Sequence, residues 1–169
     1  MCVLSHDQFE ELRAFYLSKN VTKTARESIA FGLLTKGKLF GCFAFSSSPT
    51  LVNSFNHMIA TPVIYEMTDF AISPTCEKHL SKLVLRCVLS KEAKMLAAKI
   101  TGKRVRSVVT NAFSKNPVSM KYRGLFDILN RKVIEKNEDG SAKKYNITYG
   151  AEAGQWTLQE GLEKWKQKS

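Results

Sequence analysis

Residues 77–99 contain neither glycine nor proline, and the apolar runs on either side of them constrain the fold more than any other feature. Within this stretch apolar residues recur at the spacing of one helix face, namely Leu80, Leu83, Val84, Cys87, Val88 and Met95. The flanking runs, residues 63–72 and 105–113, are typical of buried strands. A helix between two strands of one sheet carries the chain back to the starting end of the sheet, usually in a right-handed crossover. The two strands then lie parallel. The centre of the chain therefore predicts a parallel strand pair joined by one long helix.

Further elements extend this unit toward the N-terminus. Ser5 and Gln8 have the spacing of a capping box, which predicts a helix from there to about residue 18. Two aromatic-rich runs, residues 28–34 and 39–45, are joined by a short polar segment with a glycine and predict a hairpin. Residues 50–61 fit either a loop or a short helix.

The C-terminal part adds shorter elements. Pro117 predicts a short helix through residue 122, because proline suits the first helical position. Residues 125–135 and 143–149 predict a strand pair around a turn. A final helix, capped by Thr157, covers residues 156–166.

This order of elements predicts an α/β (α+β) protein with a mixed sheet and helices on both faces. We expect residues 1–169 to form a single domain, with residues 150–169 as a C-terminal helical extension. That extension packs either on its own chain or on a second subunit, so both a monomer and a homodimer stay open.

The sequence also predicts a compartment. Its N-terminus lacks the basic start and apolar core of a signal peptide, and no apolar run approaches the ~20 residues that cross a bilayer. We therefore expect a cytoplasmic protein without a membrane partner. Scattered cysteines without zinc-ligand spacing predict reduced thiols and no metal; they are Cys2, Cys42, Cys76 and Cys87.

The net charge of +11 comes from one part of the sequence. Residues 1–77 hold six Lys/Arg against seven Asp/Glu, and residues 145–169 hold three against three. Residues 78–144 hold seventeen against five. Such an excess is typical of a surface that binds phosphate-rich partners, and it is larger than one pyrophosphate requires. It favours a nucleic-acid partner, with a basic surface that only aids solubility as the alternative.

Two segments resemble a known family. Residues 65–74, YEMTDFAISP, are similar to the fourth strand of the GNAT (N-acetyltransferase) superfamily, whose pattern is roughly E-L-x-x-L-x-V-x-P. Residues 116–126, NPVSMKYRGLF, resemble the later N…Y…GF segment of that family. The resemblance covers most of residues 5–135. It implies a GNAT-like, mostly antiparallel sheet with a splayed central parallel pair, and acetyl-CoA or another acyl-CoA as the cofactor.

The cofactor segment departs from the family pattern. GNAT enzymes usually carry Q/R-x-x-G-x-G/A before the helix, so that backbone N–H groups approach the pyrophosphate. Residues 75–81, TCEKHLS, contain no glycine, but a helix N-terminus still offers unpaired N–H groups and the positive end of a dipole. The resemblance implies a cofactor site formed by Phe70, Ala71, Ile72, Lys78, His79, Leu80, Ser81, Asn111 and Lys115.

The bacteriophage Mom-like DNA modification proteins are GNAT relatives with a similarly glycine-poor segment. Their S-Y-A-D…G-H-x-G-x-x-Y-x-A pattern corresponds here to residues 110–123, in which Ala112 and Tyr122 keep their places. Phe113 stands where that pattern has an acid, so no metal is implied. The likeness implies modification of adenine in phage DNA, which shields the DNA from restriction enzymes.

N-acyl transfer needs a group that accepts the proton of the amine and an acid for the departing thiolate. The resemblance makes Tyr122 the candidate acid, with a packing role as the alternative. Glu66 is the candidate base or the residue that positions a water, because a carboxylate within an apolar strand is partly desolvated. A solvent-facing or ion-paired carboxylate is the alternative for Glu66.

Basic residues surround these candidates along the sequence. We expect nucleic acid to contact Lys82, Arg86, Lys103, Arg104, Arg106, Lys121 and Arg123. Phe113, Tyr122 and Phe126 alternate with the charges, as in proteins that stack flipped-out bases, although Phe126 better fits the core. Two other functions stay open: acetylation of a protein or small amine, and non-catalytic nucleic-acid binding on a GNAT scaffold.

Overall fold

The computed structural model describes residues 1–16, 29–35, 37–46, 58–61 and 74–167. A seven-stranded sheet has the order β1-β2-β3-β4-β5-β7-β6. Its strands are β1 (Cys2–Leu4), β2 (Ile29–Thr35), β3 (Lys38–Ser46), β4 (Met58–Thr61), β5 (Ser107–Ser114), β6 (Asp127–Lys136) and β7 (Ala142–Glu152). The helices in the described ranges are α1 (His6–Tyr16), α2 (Pro74–Val88), α3 (Lys91–Thr101) and α4 (Leu158–Lys166).

The sheet is antiparallel except at its centre, where β4 and β5 run parallel. This mixed topology confirms the predicted fold class. The predicted hairpin is formed by β2 and β3, and the predicted C-terminal strand pair is formed by β6 and β7. The predicted capping box is also present, because Gln8 N donates to Ser5 Oγ at 3.2 Å and Ser5 N donates to Gln8 Oε1 at 2.9 Å.

Side chains that alternate along β2 and β3 divide the interior between the two faces of the sheet. On one face, Phe9 of α1 packs with Ala30 and with the β3 residues Cys42 and Ala44. On the other face, aromatic side chains of the same two strands pack with α2 and α3 in a larger core. Three of them, Phe31, Phe43 and Phe45, are in mutual ring contact at 5.2–5.8 Å between centroids. Helices therefore cover both faces, as predicted.

The predicted single helix over residues 77–99 is wrong, because the chain breaks after Val88 and begins α3 at Lys91. Ser90 caps α3: its Oγ accepts a hydrogen bond from Ala93 N at 3.1 Å and donates one to Cys87 O at 2.7 Å. The Leu89 carbonyl leaves the helical ladder and accepts from the N–H groups of residues 154 and 155. Because of the break, Met95 lies outside the predicted apolar stripe and is 65% exposed.

Two further predictions differ from the structure. Residues 58–61 form β4 instead of a loop or short helix, whereas the predicted strand at residues 63–72 lies outside the described residues. Pro117 does not open a helix, and residues 115–126 form bends and turns. The Ser119 carbonyl accepts from the N–H groups of Tyr122 and Arg123, and Gly124 then adopts a positive φ of 77°, so the chain turns back before a helix can extend.

The C-terminal helix α4 packs on α2 of its own chain. The Trp156 Nε1–H donates to the Arg86 carbonyl at 2.7 Å, and the Arg86 guanidinium lies 5.3 Å from the centroid of the same ring. Thr157 and Glu160 form a capping box at the start of α4, which confirms the predicted cap. The extension is therefore fastened to the helix layer.

Strand β6 lies at one edge of the sheet, and all ten of its residues are exposed. Its pairing with β7 is interrupted by three register irregularities. Among the described residues, no helix is both long and apolar enough to cross a membrane.

Candidate functional site

The candidate site lies where the two parallel strands part. β4 and β5 are paired at Met58 with Val108 and at Ile59 with Val109. Beyond these pairs, β4 continues to pair with β3, and β5 continues from Thr110 with β7. Within the described ranges, residues 110–114 of β5 thus have a strand partner on one side only. We call the start of this divergence, at Thr110, the splay point.

The N-terminus of helix α2 points toward the end of the sheet where β5 ends. Its C-terminal end lies beside the end of β7, because Leu89 O accepts hydrogen bonds from Gly154 N and Gln155 N at 3.0 and 2.9 Å. Earlier in the helix, the Lys82 ammonium donates to the Arg123 carbonyl, in the turn that follows β5. The helix therefore runs antiparallel to β5, and the positive end of its dipole lies toward the edge where β5 ends.

Tyr122 is buried against the splay point. The ring is 6% exposed, stacks on Tyr149 at 4.6 Å between centroids, and meets Phe126 edge-on at 5.5 Å. Its hydroxyl lies beside the buried side chain of Thr110, the first β5 residue beyond the β4 pairing. A proton-bearing hydroxyl is therefore held inside the core at the point where the strands separate.

Burial raises the pKa of Tyr122 above its usual value, while the hydrogen bond with Thr110 acts in the opposite direction and is the smaller effect. The hydroxyl consequently stays protonated at neutral pH. Tyr149 is equally buried, but its hydroxyl accepts a hydrogen bond from Ser119 N at 2.8 Å and so orders the turn before Tyr122.

Several predicted site residues lie outside the described residues, namely Glu66, Phe70, Ala71 and Ile72. Lys78 and His79 lie on α2 after its first turn. Because α2 begins at Pro74, the amide groups without an intrahelical partner belong to Thr75 and Cys76, earlier than predicted.

Two other predicted residues lie in the second turn of α2. Leu80 packs toward the core, and Ser81 is buried and bonded within the protein. Their amides belong to the helical ladder and do not fit a role in holding a pyrophosphate.

The face of β5 opposite Tyr122 is polar and open, and it lies on the same side of the sheet as α1. Asn111 Oδ1 accepts a hydrogen bond from Thr148 Oγ1 at 2.8 Å, and Phe113, paired with Asn146, is 66% exposed. The side-chain oxygen of Asn146 is buried without a hydrogen-bond partner in the described part of the chain. We call this surface the open face, defined by Asn111, Phe113, Asn146 and Thr148.

The predicted nucleic-acid residues do not form one surface. Lys115, Lys121 and Arg123 are exposed just beyond the end of β5, near the splay point. Lys103, Arg104 and Arg106 are exposed before β5 begins, at the opposite edge of the sheet.

Arg86 does not fit the predicted nucleic-acid contact. It is 7% exposed because it packs against Trp156 and α4. Lys82, which lies one turn earlier on α2, reaches toward the turn after β5. Tertiary contacts thus separate these two predicted nucleic-acid residues of α2.

Sequence reasoning missed two residues that define the site. Thr110 lies on the buried face of β5 together with Val108 and Ala112, and a hydroxyl at such an inward position was the available signal. Tyr149 had no local signal, because its stacking on Tyr122 depends on the pairing of β5 with β7. The described residues contain no cluster of three or more potential metal ligands.

Comparison with solved structures gives the same fold. The chain is similar to the aminoglycoside 6'-N-acetyltransferase from Enterococcus faecium, with a TM-score of 0.53 and 12% identity over 90% of this chain and 97% of that one. It also aligns with a protein from Bacillus anthracis str. Ames, assigned as a streptothricin acetyltransferase and solved with acetyl coenzyme A. That alignment has a TM-score of 0.46 and 11% identity over 82% of this chain and 66% of that one.

No curated protein sequence matches the chain. The phage GNAT-like domain family, however, matches residues 1–169, which is the whole sequence. The splayed parallel pair and the direction of α2 agree with this match. The chain therefore belongs to the phage GNAT-like domain family.

Proposed function

We propose that this protein is an acyl-CoA-dependent N-acyltransferase that modifies a base of DNA, as Mom-like proteins modify adenine. The observation that carries the transferase proposal is the buried Tyr122 hydroxyl at the splay point. The DNA acceptor is supported separately by the open face and by the basic residues beside it.

Acyl-CoA, when bound, supplies a thioester. Attack by an amine forms a C–N bond and breaks the C–S bond, so the sulfur leaves as a thiolate that needs a proton. Tyr122 fits the role of donor, because its hydroxyl carries a proton at neutral pH and stacking on Tyr149 holds the ring at the splay point. Glu66 stays our candidate for the group that accepts the proton of the amine.

The residues present also fit a CoA-type cofactor. The unpaired amides of Thr75 and Cys76, together with the positive end of α2, suit a pyrophosphate. The one-sided stretch of β5 beyond Val109 leaves backbone groups for an extended amide-bearing arm.

The open face suits a planar, hydrogen-bonding acceptor. Phe113 offers an exposed ring for stacking, and stacking on aromatic residues is a common means of holding unstacked bases. Asn111, which is exposed beside Phe113 on β5, offers a side-chain amide for hydrogen bonds with the base. Lys115, Lys121 and Arg123 lie at the same edge and can contact phosphates next to the reacting base.

The direct test is to incubate the protein with DNA, with and without acetyl-CoA, and to analyse the digested nucleosides by mass spectrometry. We expect an acylated adenine nucleoside only when both substrates are present. A parallel reaction with Phe113→Ala should retain its fold but lose most of the DNA product.

Other outcomes identify the alternatives. Thiol release with small amines or peptides, but not with DNA, would overturn the DNA acceptor and leave an ordinary N-acetyltransferase. Tight, salt-sensitive DNA binding, together with no release of CoA from acyl-CoA in the presence of any acceptor, would overturn the transferase proposal. It would indicate a non-catalytic binding protein.

A further inference from the structure

A second basic surface lies at the other end of β5 from the splay point, where that strand begins. α3 ends at Gly102, whose positive φ of 67° turns the chain, and the next residues lead into β5. The cations of this region are on the end of α3 and on that connection. We call them the distal surface; they are Lys94, Lys99, Lys103, Arg104 and Arg106.

These charges are not neutralised by ion pairs within the described residues, where the ion pairs join Lys143 and Lys144 to Glu135 on the β6–β7 hairpin. The nearby carboxylate of Glu92 accepts a hydrogen bond from Leu158 N at 2.9 Å and is thus directed to α4. Glu152 is the acidic residue that borders the distal surface. The surface therefore keeps a strong positive potential.

The shape of the distal surface suits a phosphate backbone. Lys94, Arg104, Arg106 and Ser107 line a groove between α3 and the start of β5, and Met95 forms part of its wall. Guanidinium groups bind phosphate oxygens through paired N–H donors, and serine adds a hydroxyl donor. A concave groove bordered by cations fits a rod of phosphates better than it fits a flat bilayer, which would need a broad apolar face.

The distance between the two surfaces sets the size of the partner. β5 spans seven residue steps from Ser107 to Ser114, which corresponds to ~23 Å between its ends. B-form DNA rises 3.4 Å per base pair, so this distance corresponds to roughly 7 base pairs. A ligand that reaches both edges must therefore extend over most of a helical turn.

We propose that the distal surface is a second docking site, which holds the phosphate backbone of a duplex segment away from the reacting base. Its biological meaning rests on the proposed DNA acceptor, but the binding itself needs neither cofactor nor turnover. The distal surface should therefore strengthen binding of long duplexes and have no effect on short ones.

The test compares the Arg104→Ala, Arg106→Ala double variant with wild type, using fluorescence anisotropy, a long duplex of about 24 base pairs and a short duplex of about 4 base pairs that is covalently closed at one end. We expect a roughly tenfold loss of affinity for the long duplex, a salt slope smaller by about 2, and unchanged affinity for the short one. Both arginines are exposed, so the variant should fold normally. The matched control is Lys136→Ala, Lys166→Ala, which removes two exposed charges that belong to neither surface.

Equal affinity of variant and wild type for the long duplex would overturn the proposal, as would an equal loss for both lengths or for the control. Loss of binding to phosphatidylserine vesicles without loss of DNA binding would overturn it in favour of a membrane. The nucleoside assay is separate: a length-dependent binding defect without any modified base would contradict the proposed function and leave the distal site in place.

Discussion

At the scale of single residues, Tyr122 and Tyr149 form a matched pair. Both rings are buried and stacked on each other, but only the Tyr122 hydroxyl lies at the splay point with Thr110. Replacing either tyrosine by phenylalanine removes one hydroxyl from the same stack. The comparison therefore separates chemistry from packing.

We expect Tyr122→Phe to lower kcat for acyl transfer by roughly 10²–10⁴-fold, the usual contribution of a general acid. Tyr149→Phe should keep most of kcat, and each variant should lose about 1 kcal/mol of unfolding free energy with its hydrogen bond. Steady-state thiol release and urea unfolding measure the two quantities. Equal kcat values for the two variants would exclude Tyr122 as the acid.

Cys87 gives a prediction for the pH dependence of stability. Burial raises the pKa of this thiol to about 12, from an ordinary value of 9.0. Between these two values the unfolded thiol loses its proton while the folded one keeps it, so the unfolding free energy falls as pH rises above about 9. In Cys87→Ala the fall should be shallower. Parallel slopes for wild type and variant in urea titrations at increasing pH would refute this assignment.

At the scale of elements, the junction between α2 and α3 depends on Ser90. Its hydroxyl both caps α3 and donates to the Cys87 carbonyl, and the residue is fully buried. Ser90→Ala should therefore cost about 1–2 kcal/mol of unfolding free energy. Thr157→Ala, at the more exposed cap of α4, should cost less. A smaller loss for Ser90→Ala than for Thr157→Ala in denaturant unfolding would contradict the central role of this junction.

The elements that could be predicted from the sequence are those fixed by neighbouring residues. The Ser5–Gln8 capping box and the β2–β3 hairpin depend on local spacing, and both are present. The break after α2 was missed because the Leu89 carbonyl is satisfied by amides of residues 154 and 155, which are distant in sequence. A gap-free apolar pattern cannot show such a tertiary interruption.

For the candidate site too, the sequence did not reveal the contacts that depend on strand pairing. Tyr122 could be named from a resemblance, but its partners Thr110 and Tyr149 come together through strand pairing. Arg86 was predicted to contact nucleic acid because it follows Lys82 by one helical turn. In the structure Trp156, from the C-terminal part of the chain, covers it. A charge count along the sequence therefore located the basic region without showing that it is split between two edges.

At the scale of the whole molecule, Trp156 fastens the C-terminal segment to the helix layer. Its ring lies between the Arg86 guanidinium at 5.3 Å and the Lys164 ammonium at 4.9 Å. Trp156→Phe removes the N–H that bonds the Arg86 carbonyl and should cost about 1–3 kcal/mol of unfolding free energy. Turnover per folded molecule should not change, because the Trp156 side chain contacts Arg86 and Lys164, which have no proposed part in the acyl transfer. Thermal unfolding followed by circular dichroism, combined with thiol release, tests both expectations, and a lower kcat at full folding would contradict them.

The exposed edge strand β6 affects whether neighbouring copies of the protein can join through their sheets. A regular outer strand presents an even row of N–H and C=O groups on which a neighbouring molecule could polymerise. The three irregularities of β6 break that row, and its positively charged side chains, such as Lys132 and Lys136, repel an identical strand. The irregularities and charges therefore oppose a regular ladder between copies, while contacts at this edge would fall to its exposed apolar side chains, namely Ile128, Leu129, Val133 and Ile134.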